Sequence, residues 1–250
     1  YASCVFEGLR VYDGEIFKLE EHTERLFNSA HILGITIPYT AEEVNEAQRD
    51  VFKANALEEG YLRPMAYLGS EAMGLRAQGL SVHLSIASWP WPDYVDADSR
   101  EKGIRVRTSS YTRHHVNITM CKAKSNGNYT NSILALHEAL DSGCDEALLL
   151  DNEGYVAEGS GENIFLVQDG HLVTPELTSC LEGITRATVF DLAAEVGLEV
   201  RERRITRDEV YIADEAFFSG TAAEVLPIRE LDGRMIGSGQ RGPVPEKLQA

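Results

Sequence analysis

Lys122 and Lys124 stand two residues apart in Met120-Cys121-Lys122-Ala123-Lys124-Ser125-Asn126-Gly127-Asn128-Tyr129, a small and polar run that leads into a helical pattern. An amine that attacks an aldehyde must spend time unprotonated, and a neighbouring cation or removal from water favours that form. Lys122 is such a neighbour for Lys124; taken alone, the segment is equally an ordinary cationic loop. In Ala157-Glu158-Gly159-Ser160-Gly161-Glu162-Asn163 a carboxylate is followed by glycines that let a flat ring come close to the backbone. A buried Glu158 there suits a protonated pyridine nitrogen. Gly183-Ile184-Thr185-Arg186 opens an amphipathic helix, so backbone N–H groups, the positive end of the helix dipole and the Thr185 hydroxyl converge on one anion. Ser219-Gly220-Thr221-Ala222-Ala223-Glu224 has the same character. Each of the last two, singly, is also what a plain helix cap looks like.

The combination is more specific than its parts. An aldehyde-reactive lysine, a carboxylate for a ring nitrogen and two phosphate cradles together point to pyridoxal 5′-phosphate.

These groups need a frame. Phe6 to Lys18 alternates around Asp13-Gly14, a hairpin signal, and Leu19 to Leu33 reads as an amphipathic helix closed by Gly34. Thr40-Ala41-Glu42-Glu43 is a capping box for a second helix, which Gly60 ends before a strand over Tyr61 to Leu68. Ser81 to Ile86 alternates again, and Trp89-Pro90-Trp91-Pro92-Asp93 with the charged stretch to Lys102 then interrupts every period. The expected organisation is a small α+β domain over 1–90, a linker over 91–102 and a larger cofactor-binding domain over 103–250. In the latter, Ile104 to Thr108 and Leu198 to Arg204 read as strands, Asn131 to Leu140 and Thr185 to Val196 as helices. Hairpins turn at Asn152-Glu153-Gly154 and Asp169-Gly170, and Thr206-Arg207-Asp208-Glu209 caps a short helix. Strands arrive in hairpins rather than in strict β-α-β alternation, which predicts an α+β sandwich of largely antiparallel sheets.

Other motifs fail on context. Gly237-Ser238-Gly239-Gln240-Arg241-Gly242 spells a dinucleotide fingerprint, but no apolar strand precedes it, Pro243 follows and no acidic ribose partner comes after, so it reads as a surface loop. His137-Glu138 begins a zincin motif that Asp141 breaks, and no P-loop or G-x-S-x-G elbow is present. His114-His115 read as solvated or core-satisfied imidazoles rather than metal ligands. Forty acids against 23 bases give the 250-residue chain a formal charge of −17, which argues against a nucleic-acid partner. Hydrophobic residues at 43% suffice for a packed core, and no apolar run is long enough to span a bilayer. Cys4, Cys121, Cys144 and Cys180 form no C-x-x-C pair, which suits reduced thiols in a cytoplasm. The sequons at Asn117 and Asn128 read as coincidence. A start at Tyr1, inside an apolar stretch, reads as a fragment or a trimmed terminus.

Seven ordered segments carry a resemblance over essentially the whole chain: Tyr1 to Arg10, Glu21 to Leu26, Tyr61 to Pro64, Lys124 to Tyr129, Glu158 to Asn163, Gly183 to Arg186 and Ser219 to Glu224. The sequence resembles the fold-type IV pyridoxal-phosphate aminotransferases, and among them the branched-chain amino acid aminotransferases. The resemblance implies a two-domain α+β enzyme with antiparallel and mixed sheets packed with helices and the cofactor at the domain interface. It also implies ping-pong transfer of an amino group from L-leucine, L-isoleucine or L-valine to 2-oxoglutarate.

Residue by residue, the resemblance makes Lys124 the lysine that carries the cofactor, with Lys122 a neighbour outside the motif. Glu158 would hold the pyridine nitrogen, Tyr129 the phenolic oxygen, and Arg25, the Ile184 and Thr185 amides and Thr221 the phosphate, with Gly161 also on the cofactor side. The substrate α-carboxylate would meet the Thr221 and Ala222 amides and the Tyr61 hydroxyl. Phe6, Gly8, Trp91 and Tyr94 would wall an apolar slot, with Arg10 also on the substrate side. Arg63 would grip the distal carboxylate of glutamate or 2-oxoglutarate. Family members are homodimers or larger, and Tyr1 and Leu75 fall where the partner chain completes each pocket; members also extend beyond both ends of this sequence. A D-amino acid aminotransferase, an aminodeoxychorismate lyase and an (R)-selective amine transaminase share the cofactor machinery and are the alternatives. From another class, a degenerate sheet protein binding a phosphorylated ligand would keep the Gly183 cradle without a functional Lys124.

Overall fold

The computed structural model describes residues 3–91, 95 and 97–250, and for residues 97 and 98 the backbone alone. Tyr1 and Tyr94, both expected on the substrate side, lie outside the described residues. The chain divides into two compact units: Tyr1–Pro92 with Lys122–Asn128, and Asp93–Cys121 with Tyr129–Ala250.

In the first unit, β1 (Cys4–Phe6), β2 (Leu9–Tyr12) and β3 (Glu15–Ile16) are followed by α1 (Leu19–Ile32), α2 (Ala41–Ala54), β4 (Gly60–Leu68) and β5 (Val82–Trp89). Every pairing is antiparallel around a central β4, with β5 on one edge and β1 then β2 on the other. Asp13 and Gly14 both take positive φ, 50° and 79°, as the tight β2–β3 turn requires. β1 and β2 share one register on β4, Phe6 opposite Met65 and Leu9 opposite Leu62, yet the ladder stops at Glu7-Gly8. Pro64 explains the gap: its carbonyl accepts the Glu7 N–H at 2.9 Å, but it has no N–H to return.

The helices of this unit pack on the sheet. Thr40 Oγ1 accepts the Glu43 N–H at 3.2 Å while the Glu43 carboxylate accepts the Thr40 N–H at 2.8 Å, a capping box that contributes about 1 kcal/mol to α2. Val5, Leu26, Ala30, Val44 and Ala66 form one core cluster; Leu9, Leu19, Phe52 and Leu62 form another. Thr23, Asn45 and Gln48 join α1 to α2 through buried hydrogen bonds of 2.5 and 3.0 Å.

The second unit contains α3 (Ala97–Lys102), β6 (Ile104–Thr108), α4 (Tyr129–Asp141), β7 (Glu146–Leu150), β8 (Val156–Gly159), β9 (Asn163–Gln168), β10 (His171–Thr174), α5 (Ile184–Glu195), β11 (Val200–Glu202), α6 (Arg207–Tyr211), β12 (Glu215–Gly220), β13 (Glu224–Leu231), β14 (Arg234–Met235) and α7 (Pro243–Gln249). Its sheet runs β11-β10-β9-β12-β13-β6-β7-β8, with β14 on β13. Hairpins make it mainly antiparallel, but β10–β11, β13–β6 and β6–β7 are parallel. Phe165 and Phe217 stack at 5.2 Å across β9 and β12 at its centre, under α5. The fold is the α+β architecture expected, with one antiparallel sheet and one mixed, mainly antiparallel sheet. Two local expectations change. The strand expected over Leu198 to Arg204 pairs only from Val200 to Glu202, and Pro243, rather than merely ending a loop, begins α7 at a position where its missing N–H costs nothing. Among the described residues no helix is long and apolar enough to cross a membrane.

Candidate active site

Lys124 lies in the first unit, on a short segment threaded beside β1. Its backbone N–H donates to Ser29 Oγ of α1 at 2.9 Å, its carbonyl accepts the Phe6 N–H at 3.1 Å, and Ser125 bridges to Val5. The segment thus runs beside β1 through one isolated bridge and is closed by Asn128, whose side chain donates to the Ala123 carbonyl at 3.1 Å. Lys124 is half-buried, with Nζ 4.9 Å from the centre of the Phe6 ring; Lys122 is exposed.

Arg63 on β4 is surrounded by rings. Its guanidinium lies 4.7 Å from the Phe6 ring, 5.4 Å from Tyr61 and 6.0 Å from Trp89. Such faces attract the cation without meeting its hydrogen-bonding demand, and Arg63 Nε is buried with no hydrogen-bond partner. Tyr61 stacks on Trp91 at 4.6 Å. Gly8 makes room for it, because a Cβ there would collide with the Tyr61 hydroxyl. Phe6, Gly8, Tyr61, Arg63 and Trp91 are therefore brought together with Lys124. Arg10 is buried opposite Tyr61 in the sheet, its guanidinium over the Tyr12 ring at 5.3 Å. Leu75 is 89% exposed in the β4–β5 connection, apart from this group.

Arg25 on α1 grips the fully buried Glu7, Nε to Oε1 at 2.6 Å and Nη2 to Oε2 at 2.9 Å; His22 Nδ1 lies 2.7 Å from the same Oε2. Neither Glu7 nor His22 stands out in the sequence as a site residue. The one available signal is an acid lodged inside the apolar run from Val5 to Leu9.

The second unit gathers its candidates at one end of β9 and β12. Glu158, near the end of β8, is buried; Oε1 lies 2.7 Å from Arg113 Nε and Oε2 accepts the Leu181 N–H at 3.2 Å. Asn163 is the hub. Its side chain donates to the Leu181 carbonyl at 3.0 Å, it pairs with Ser219 across the strands, and Gly183 must lack a Cβ because Asn163 Oδ1 occupies that place. Gly183 is the N-cap of α5 and no side chain caps it, so the amides of Ile184 and Thr185 lack the intrahelical acceptors that later residues have. Arg186, the last residue of that segment, turns to the Pro175 carbonyl and to Glu202. Thr221 and Ala222 form the β12–β13 turn, which Glu224 completes at φ 56°. A Cβ at Gly220 would press on Glu162 Cγ at 3.2 Å, so the turn leans on the Ser160–Glu162 loop that carries Gly161. Tyr129 is half-buried at the start of α4.

This end of the sheet fits a phosphorylated pyridine. It offers a buried carboxylate, an uncapped helix N-terminus, a turn with small side chains and a buried Ser219 hydroxyl that has no partner. His114 Nε2 is buried without a partner as well, and burial together with neighbouring Arg113 pushes this imidazole down to about 4.

The amino-transferase class IV model matches residues 4–231. A branched-chain-amino-acid aminotransferase of Pseudomonas aeruginosa is 62% identical over 253 residues, spanning all of this chain and 82% of its own. That of Escherichia coli K12 is 43% identical over 255 residues with the same coverage. The Escherichia coli crystal structure superposes with a TM-score of 0.97 at 43% identity, covering all of this chain and 84% of its own. A T.th. branched-chain amino acid aminotransferase with pyridoxamine 5′-phosphate gives 0.96 at 46% identity, covering all of this chain and 83% of its own. Likeness of this extent, in sequence and in fold, puts the chain in the class IV amino-transferase family, among its branched-chain-amino-acid aminotransferases.

Proposed function

We propose that this protein transfers the amino group of L-leucine, L-isoleucine or L-valine to 2-oxoglutarate in a reversible ping-pong cycle, using pyridoxal 5′-phosphate. The observation that carries the reading is the cluster around Asn163: buried Glu158, the uncapped start of α5 and the Thr221 turn at one end of one sheet. The 62%-identical relative, a branched-chain-amino-acid aminotransferase, supports the substrate class.

The cofactor, when bound, supplies an aldehyde that takes up the amino group and a ring that spreads the negative charge developing at the substrate Cα. Lys124 would hold it through Nζ, and the same amine would carry the proton at the substrate Cα. Glu158 keeps a proton on the ring nitrogen, and Tyr129 binds the phenolic oxygen. Arg25, the Ile184 and Thr185 amides and Thr221 bind the phosphate, while Gly161 leaves the ring room. The Thr221 and Ala222 amides and the Tyr61 hydroxyl orient the α-carboxylate. Phe6, Gly8, Trp91 and Tyr94 exclude water from the branched side chain, with Arg10 also on the substrate side. When glutamate takes its turn, Arg63 meets the distal carboxylate, which its unpartnered Nε supports.

A homodimer or larger assembly is part of this reading, with Tyr1 and Leu75 serving the neighbouring pocket. The exposure of Met73 and Leu75, at 96% and 89%, supports it. The spacing of the four cysteines, with no C-x-x-C pair, supports a cytoplasmic location. The test is the absorption spectrum of the purified protein with a panel of L- and D-amino acids and a chiral amine lacking a carboxylate. L-Leucine, L-isoleucine and L-valine should bleach the bound chromophore; a response confined to D-amino acids or to the amine would overturn the reading.

A further inference from the structure

Glu7 is a carboxylate where a carboxylate is disfavoured. It is fully buried in the gap between β1 and β2, and no step described above uses it. Such a charge persists only when its lone pairs are filled by good donors. Here they are: two Arg25 nitrogens, His22 Nδ1 and the Gly8 N–H at 3.2 Å. Burial pushes the Glu7 carboxyl up, but the Arg25 charge and the His22 and Arg25 hydrogen bonds outweigh it and hold the group well below the usual carboxylate range. Burial pushes His22 down, so at neutral pH it is an uncharged imidazole donating from Nδ1. The cluster therefore contains one anion and one cation.

His22, Arg25 and Ser29 recur along one face of α1. Ser29 accepts the N–H of Lys124, and the Lys124 carbonyl accepts the N–H of Phe6, next to Glu7. One carboxylate thus fastens the helix face on which both the phosphate arginine and the peptide of the reactive lysine rest.

We propose that Glu7 is a positioning residue that fixes the guanidinium of Arg25 for the cofactor phosphate. The inference rests on the reading of Arg25 as a phosphate ligand. Glu7 engages the Nε and Nη2 edge, so the direction of Nη1 is set by the clamp. Two effects of opposite sign compete. The Glu7 charge offsets that of Arg25 and weakens its pull on phosphate, whereas the clamp removes rotamer freedom that Arg25 would otherwise lose on binding. Glu7→Gln separates them, because it removes the charge, keeps the shape and sets an NH2 donor against donors.

The experiment measures, by calorimetry, the affinity of the full chain stripped of cofactor for pyridoxamine 5′-phosphate and for pyridoxamine. Glu7→Gln should weaken the phosphorylated ligand about ten-fold and leave pyridoxamine within about two-fold, with Glu7→Asp between the two proteins. Unchanged or tighter binding of the phosphorylated ligand overturns the proposal, since the charge then outweighs the clamp. An equal loss for both ligands also overturns it, as the mark of a merely structural role. Should Glu7→Gln not fold, Glu7→Asp carries the test on the same outcomes. If the unmodified chain itself shows no preference for the phosphorylated ligand, the reading of the site fails and the proposal with it.

Discussion

Arg113 Nε lies 2.7 Å from Glu158 Oε1, and neither side chain is more than 7% exposed. The pair is made inside the second unit, between the loop after β6 and the end of β8, so Glu158 is oriented before any ligand arrives. Breaking a buried pair from one side strands the other charge. Arg113→Met should therefore lower stability by about 3–5 kcal/mol, read from urea unfolding, and should lower turnover because Glu158 loses the group that aims it. Arg113→Lys keeps the charge without the planar fork and should fall between the two proteins. A urea midpoint in Arg113→Met equal to that of the unmodified chain would show that the pair does not hold the site.

Lys122 and Lys124 differ in environment as much as two neighbours can. Lys124 is half-buried with its amine over Phe6 and its peptide held by Ser29, while Lys122 is exposed. Lys124→Ala should lose at least about 10³-fold in turnover, and Lys122→Ala should stay within about two-fold. Borohydride reduction of the holoenzyme followed by peptide mapping should find the label on Lys124 alone. The reverse order of the two variants would reassign the reactive amine.

Local signals in the sequence reach far into this fold. Asp13-Gly14, Asn152 to Gly154 and Asp169-Gly170 all turn hairpins, and the boxes at Thr40 and Thr206 both start helices, because turn and cap chemistry acts within a few residues. The parallel pairings of β6 with β7 and β13 are invisible at that range, since they depend on a choice among distant partners. The site divides the same way. Lys124, Glu158 and the start of α5 carry their own motifs, but Ser29, which holds the Lys124 peptide, lies 95 positions away. Arg113 has no local mark at all; its role exists only once β6, β7 and β8 have paired.

Gly8 is demanded by the tyrosine it faces. Any Cβ at that position would stand in the Tyr61 hydroxyl, and Tyr61 is fixed from the other side by its stack on Trp91 at 4.6 Å. In Gly8→Ala the ring must yield, which costs about 1–3 kcal/mol of stability. Displacing a hydroxyl assigned to the substrate α-carboxylate should raise KM for L-leucine about ten-fold with a smaller change in kcat, measured in steady-state assays. Unaltered KM would remove Tyr61 from the carboxylate site.

His114 gives the protein an acid-sensitive joint next to the site. Burial first, and then the adjacent Arg113 charge, lower its pKa from 6.5 to about 4, and Nε2 has no partner to accept a proton's charge. The unfolded chain therefore binds this proton more readily than the folded one between those two values. A group depressed in this way contributes stability that is complete above about pH 6.5 and is lost progressively as the pH falls towards 4. The half-burial of the ring reduces the effect by solvent screening without changing its sign. Urea unfolding of the unmodified chain at intervals from pH 7 to pH 4 should show a falling midpoint, and His114→Gln, which cannot take up the proton, should show a shallower fall over the same window. Parallel curves for the two proteins would place the acid sensitivity elsewhere.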